Sequence, residues 1–380
     1  MKTYDIYNFD HRYTMPRIIN TDSFRIIIKE DHCSNLKNLT KNASTSFAHD
    51  LDITPIVVKN PFKDGTFVIT GTIEIDEQFA ENSVLFPEVL NRKYINDITL
   101  VLSFLTGRHV YLKDEIEKYS SKSYLDGPVA NNYNIYSQIK HENIKKISKY
   151  DLDTQFFNTV RSYSINDLLS LTSYCNSILD RLFTKWAKEN GKSKFESSKL
   201  LNSLRRRAYE HVENSLCTKI KIKFLQFLKN EKIDTVVIKD IKARIHIDNS
   251  PSAIYKLKSF LKHYDLYPQE DNEENNAKLK WLNKIRNSVA HTGDLPKDKK
   301  ISWNMRAEIT TNITFLMLDI IQWYFAKIIL EIDNHRLDET QKDIKNYFLT
   351  GKFRNKDVFN ETYEDYMNRI TNDWTENSNL

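Results

Sequence analysis

Apolar residues recur at a helical period over most of the stretch from residue 160 to residue 332, a pattern that strands cannot sustain. Leu168, Leu169, Leu171, Ile178, Leu179, Leu182, Phe183 and Trp186 fit one long amphipathic helix, which Asn190-Gly191 stops. Leu200 to Leu228 reads as a second. Ser250-Pro251 supplies a cap and a first-turn proline for a short helix through Leu261. A further helix is expected from about Glu274 to His291. It follows the acidic run Glu270 to Asn275, which suits the positive end of a helix dipole, and it stops at Gly293 before Pro296. The longest greasy stretch, Ile313 to Leu330, is broken by Asp319, Gln322 and Lys327. It reads as a buried core helix within a span from about Ser302 to Ile332, not as a membrane crossing.

The front of the chain has the other period. Phe24 to Lys29, Ile53 to Lys59 and Thr66 to Asp76 are short runs rich in β-branched residues, the last after an Asp64-Gly65 turn. Gly71 inside it marks a bulge. Pro87 opens a helical pattern through Val89, Leu90, Ile95, Ile98, Leu102 and Leu105 that ends at Gly107, with a short strand expected at His109 to Leu112. The fold class is therefore α+β: a β-rich domain with a trailing helix over 1–110, a connector over 111–158, a helical domain over 159–345 and a tail over 346–380, with one or two docked helices expected in the stretch after Asp333.

Composition narrows the function. The net charge of +5 permits a polyanionic partner without demanding one. Cys33, Cys175 and Cys217 are widely spaced and form no CxxC pair, which argues against a disulfide framework or zinc site and fits a reducing cytoplasm. The first residues, Met1 to Ile6, hold no apolar signal segment. His32, His49, His246 and His263 form no HExxH or HxH pair. There is no phosphate-binding glycine loop and no GxSxG elbow, so no metal and no cofactor is expected. Gly107-Arg108-His109 reads as a turn, and Trp303, Trp323 and Tyr324 as core.

Chemistry concentrates in Leu282-Asn-Lys-Ile-Arg286-Asn287-Ser-Val-Ala-His291-Thr-Gly. On a helix, Leu282, Ile285 and Val289 share the core face, while Lys284, Asn287 and His291 line the opposite one. Arg286 falls at the margin of the core face, about 140° around and about 7.5 Å along the axis from His291. Asn287 and His291 are i, i+4 neighbours, so the amide can orient the imidazole. The helix C-terminus favours the protonated imidazole, and a histidine poised near neutrality can both take and give a proton. Arg286 offers a permanent charge in a fork that matches a phosphate. Such a set can serve metal-free cleavage of RNA, with two copies across a two-fold axis supplying two histidines and two arginines. On spacing alone, a solvated basic face explains the same residues. Arg205, Arg206 and Arg207, with His211, form a second basic patch for RNA phosphates or for solvent, and Glu210 or Glu213 could pair with Arg286.

Arg286-Asn-Ser-Val-Ala-His291 resembles the R-x4-6-H motif of HEPN domains, in its form with asparagine directly after arginine. The following turn and long helix resemble that family's bundle, over residues 160 to 345. Val101-Leu-Ser-Phe-Leu-Thr-Gly-Arg108-His-Val is similar to a segment of ApeA-like anti-phage HEPN proteins, which place a β-rich domain before an all-α antiparallel bundle. The resemblance implies a metal-independent endoribonuclease acting on RNA as a homodimer in anti-phage, abortive-infection defence. Arg286 and His291 would then be catalytic, with Asn287 in support. It also leaves room for a catalytically silent module binding nucleotide, RNA or protein, and for a toxin held by an antitoxin or a phage-derived regulator.

Overall fold

The computed structural model describes residues 1–7, 9, 18–29, 69–107, 109–112, 128, 133–163, 165, 167–192, 226–227, 229–231, 252–270, 272–295 and 303–351. Five antiparallel strands, β1 (Lys2–Tyr7), β2 (Ile18–Asn20), β3 (Phe24–Ile28), β4 (Ile69–Ile75) and β5 (Tyr111–Leu112), form one sheet in the order β2-β3-β4-β1-β5. Alternation sets its buried face: Phe24, Ile26 and Ile28 on β3, and Ile73 and Ile75 on β4. The bulge expected at Gly71 is present. Ile6 pairs with Gly71 and Tyr7 with Ile69, leaving Thr70 extra. The buried Thr70 hydroxyl accepts from Phe9 N at 3.1 Å and donates to Ile6 O at 3.3 Å, tying the bulge to the end of β1. Glycine is required at 71 by space, because a Cβ there would meet Ile27 O at 2.6 Å. The run Ile53 to Lys59 lies outside the described residues, and β1 was not anticipated from its sequence.

Among the described residues eight α-helices follow: α1 (Tyr94–Thr106), α2 (His141–Lys149), α3 (Asp153–Ser162), α4 (Leu168–Glu189), α5 (Ala253–His263), α6 (Glu273–Thr292), α7 (Trp303–Trp323) and α8 (His335–Thr350). The expected start of α1 at Pro87 is wrong by seven residues. The buried Asp97 carboxylate gathers the Ser83 hydroxyl (2.7 Å), the Val84 and Leu85 amides (2.6 and 3.2 Å) and Arg92 Nε (3.5 Å). Asn91 sits at φ 66°. This turn chemistry outcompetes the helix and leaves Val89 and Leu90 exposed. Gly107 ends α1 in the left-handed conformation, as read from sequence. Residues are buried all around α1, as suits a helix covered on every side.

Packing continues across residue 110. The Tyr163 hydroxyl donates to Phe104 O at 3.1 Å, and the Phe104 ring meets Phe156 at a tilt and Phe325 edge to face. Asp22, in the β2–β3 turn, accepts the His141 amide at the start of α2. Thr172 meets Thr314 at 2.6 Å, and Gln322 donates to the Tyr163 hydroxyl at 3.0 Å. The segment from Tyr163 to Thr172 therefore runs antiparallel to α7. The chain divides into two compact units, Met1–Leu182 with Leu261–Leu380, and Phe183–Phe260. In the second, Trp186 and Phe260 meet edge to face at 5.8 Å.

The helix from Arg306 to Ile329 is long and apolar enough to cross a membrane by length and composition, but 78% of its most apolar window is buried, as a core helix should be. Trp323 and Tyr324 are core, whereas Trp303 at the start of α7 is exposed, contrary to expectation. The stretch after Asp333 does dock a helix, α8, most of which lies before the expected tail at 346. It ends at Gly351 and is tied to α6 by Lys278, whose buried ammonium donates to Phe348 O (3.1 Å), Leu349 O (2.7 Å) and Glu274 (2.6 Å). Those carbonyls are among the last of α8, which no intrahelical amide can satisfy.

Candidate functional site

Helix α6 carries the residues singled out from sequence. Asn272 caps it, its side chain accepting from Asn275 N at 2.7 Å, and Glu273 and Glu274 occupy the first turn. Gly293, at φ 63°, closes the far end by donating to Val289 O at 3.0 Å. Leu282, Ile285 and Val289 are buried and Lys284 and Asn287 exposed, as the helical spacing requires. The backbone remains helical through residue 291, so positions 287 and 291 fall on one side of α6, with His291 in its last turn.

Arg286 turns the other way. Its side chain is only 11% exposed. One Nη donates to the Asp180 carboxylate on α4 at 2.5 Å, and the other to Asn283 Oδ1 at 3.1 Å. Asn176, one helical turn before Asp180, donates through its buried Nδ2 to the Arg286 carbonyl at 3.4 Å. The side chain and the backbone of Arg286 are thus both gripped by one face of α4. A planar guanidinium held at two nitrogens has a fixed orientation, and Asp180 offsets its charge where hydration is thin. Asp180 is itself 46% exposed, so the pair sits at the edge of the protein and not in its depth.

Arg286, Asn176, Asn283 and Asp180 are brought together, whereas Lys284 and Asn287 stand on the opposite side of the same helix. The Lys284 ammonium lies over the Trp281 ring at 4.5 Å, a cation–π contact that steers it along the helix surface. Arg205, Arg206, Arg207, His211, Glu210 and Glu213 lie outside the described residues. The acid that pairs with Arg286 is Asp180, a residue not singled out from the sequence. The signal for it was faint but present: Thr172, Asn176 and Asp180 are polar at i, i+4 spacing on the otherwise apolar face of α4.

Cys175, beside Asn176, is fully buried, and burial pushes its thiol up to about 12, which keeps it protonated and inert as a nucleophile. Among the described residues, no group of three or more His, Cys, Asp or Glu side chains is placed to hold a metal ion. No family model matches the chain, no curated protein matches it, and no solved structure matches it.

Proposed function

We propose that the chain is a metal-independent endoribonuclease of the HEPN type, assembled from two copies and serving in anti-phage defence. The observation that carries the reading is the Arg286 clamp on a helix whose last turn bears His291. The guanidinium is oriented by Asp180 and Asn283, while positions 287 and 291 share one side of the same helix. One copy spreads these groups around α6. A second copy across a two-fold axis would bring a further arginine and histidine to the same cleft.

The chemistry follows from the residue types. One His291 takes the proton of a ribose 2′-hydroxyl as the 2′-oxygen forms a bond to the adjacent phosphorus. The bond from phosphorus to the 5′-oxygen breaks, and the protonated His291 of the second copy gives that oxygen a proton. Arg286 stabilises the charge that builds on the non-bridging oxygens. The products are a 2′,3′-cyclic phosphate and a free 5′-hydroxyl. The test is an RNA with a single 2′-deoxyribose at a mapped cleavage position. Loss of cutting at that position alone is expected, and continued cutting there would overturn the mechanism.

A second reading is favoured by the burial of Arg286: the Arg286–Asp180 pair clamps α6 to α4, and the helices form a catalytically silent binding module. In that case Arg286→Gln lowers stability while no RNA product forms at any protein concentration.

A further inference from the structure

A second group of residues on the same compact unit has the composition of a nucleic-acid contact. The Arg92 guanidinium lies over the Phe86 ring at 4.5 Å, and Phe86 meets Phe157 edge to face at 6.3 Å. Phe157 is 39% exposed on α3. Arg161, one turn further along that helix and exposed, lies over the Tyr174 ring of α4 at 6.0 Å. Two cations and three aromatic rings thus line one strip: Arg92, Phe86, Phe157, Arg161, Tyr174. Arg161 forms no ion pair among the described residues. The strip is preorganised, because the buried Asp97 carboxylate fixes the turn that carries Phe86 and Arg92.

Arg181 extends the strip along α4 on the side that bears Tyr174, which lies about 120–160° around the helix from Asn176 and Asp180, the residues that hold Arg286. Tyr174 and Arg181 share a face of α4, two turns and about 10 Å apart. Arg181 adjoins Asp180, the partner of Arg286, and is itself held by Asp151 at 2.6 Å. A strand whose bases rest on Phe157 and Tyr174 would run its phosphates past Arg161 and Arg181.

We infer that this strip is a binding surface for single-stranded RNA, which stacks bases on Phe157 and Tyr174 and meets a backbone phosphate at Arg161. The inference rests on the endoribonuclease reading and names how its substrate is held. Base–aromatic stacking is tolerant of sequence because every base has a π-face, so the strip selects single strands and not a motif. The neighbouring Val89 and Leu90 are also exposed, Leu90 by 87%, and they define the alternative, a contact with another protein.

The test is binding of a fluorescent, fully 2′-O-methylated RNA oligonucleotide, which has no attacking hydroxyl, by the full chain and by its Phe157→Leu and Arg161→Gln variants. Leucine preserves the apolar volume and removes only the aromatic face. Phe157→Leu should weaken binding about tenfold with the salt dependence unchanged. Arg161→Gln should reduce the slope of log affinity against log salt by about 0.7, the share of one single-strand phosphate contact. Wild-type affinity and slope in both variants would overturn the strip, and would leave the nuclease intact if the parent still cuts RNA. Loss of binding in the variants of a parent that never cuts RNA would support the strip and sink the nuclease. No binding by the parent would sink both. Loss of self-association in Phe157→Leu, with RNA binding unchanged, would reassign the strip to protein contact.

Discussion

Replacing Asp180 with asparagine keeps the shape of the side chain and removes the charge that faces Arg286. The hydrogen bond from Arg286 Nη, 2.5 Å long, becomes one between a cation and a neutral amide. A hydrogen bond to a charged group contributes about 1.5–3 kcal/mol, and breaking a fully buried ion pair costs about 3–5 kcal/mol. Arg286 is almost enclosed, but Asp180 is nearly half exposed, so water can partly replace the lost carboxylate. The expected loss is therefore about 1–2 kcal/mol. At about 2–4 °C per kcal/mol for a domain of 150–250 residues, Tm should fall by several degrees in a calorimetric scan. The decisive form is a double-mutant cycle with Arg286→Gln. Once Arg286 is uncharged, Asp180→Asn should cost much less, giving a coupling of about 1 kcal/mol. Additivity within about 0.5 kcal/mol would refute the clamp, since that is how independent sites behave. The clamp also makes Asp180→Asn slow any RNA cleavage, because a loosened guanidinium no longer arrives pre-aimed.

Other outcomes follow from the same structure. Burial lowers His109 to about 4 and lowers His141 as well, so these two imidazoles hold fewer protons in the folded chain than in the unfolded one as pH falls below 6.5. That stability is present above about pH 6.5 and is lost as pH falls towards 4; urea midpoints measured across this range should decline, and His109→Gln should flatten the decline. Lys278→Met should cost about 1–3 kcal/mol by removing the donor to the last carbonyls of α8, and hydrogen exchange should speed up first in α8. Equal protection of α8 in parent and variant would contradict the tie. Gly71→Ala should lower the urea midpoint by the equivalent of about 1–3 kcal/mol, because its Cβ can fit only if β3 backs away from Ile27 O; an unchanged midpoint would show that the sheet yields freely.

The helices were legible where a stop signal coincided with the end of a periodic run. Gly107, Gly191 and Gly293 all lie at helix ends with positive φ, as their places in the sequence required. The start of α1 was misread because periodicity extends back to Val89, while the competing turn depends on Asp97, a polar residue inside the helix that reaches back to Ser83 and Val84. Strand β1 escaped notice because Lys2 to Tyr7 buries little more than Ile6 and Tyr7, so its alternation carries almost no apolar signal. At the candidate site, the helical angle placed Arg286 at the margin of the core, where it lies. Its partner could not be read off, since Asp180 is 106 residues away and only the packing of α4 against α6 brings the two together.

The central claim is that Arg286 and His291 cut RNA without a metal. Purified protein incubated with total cellular RNA in EDTA should produce discrete fragments, while folded Arg286→Gln and His291→Ala proteins should produce none. Fragments of equal yield from the parent and the His291→Ala protein would contradict the claim.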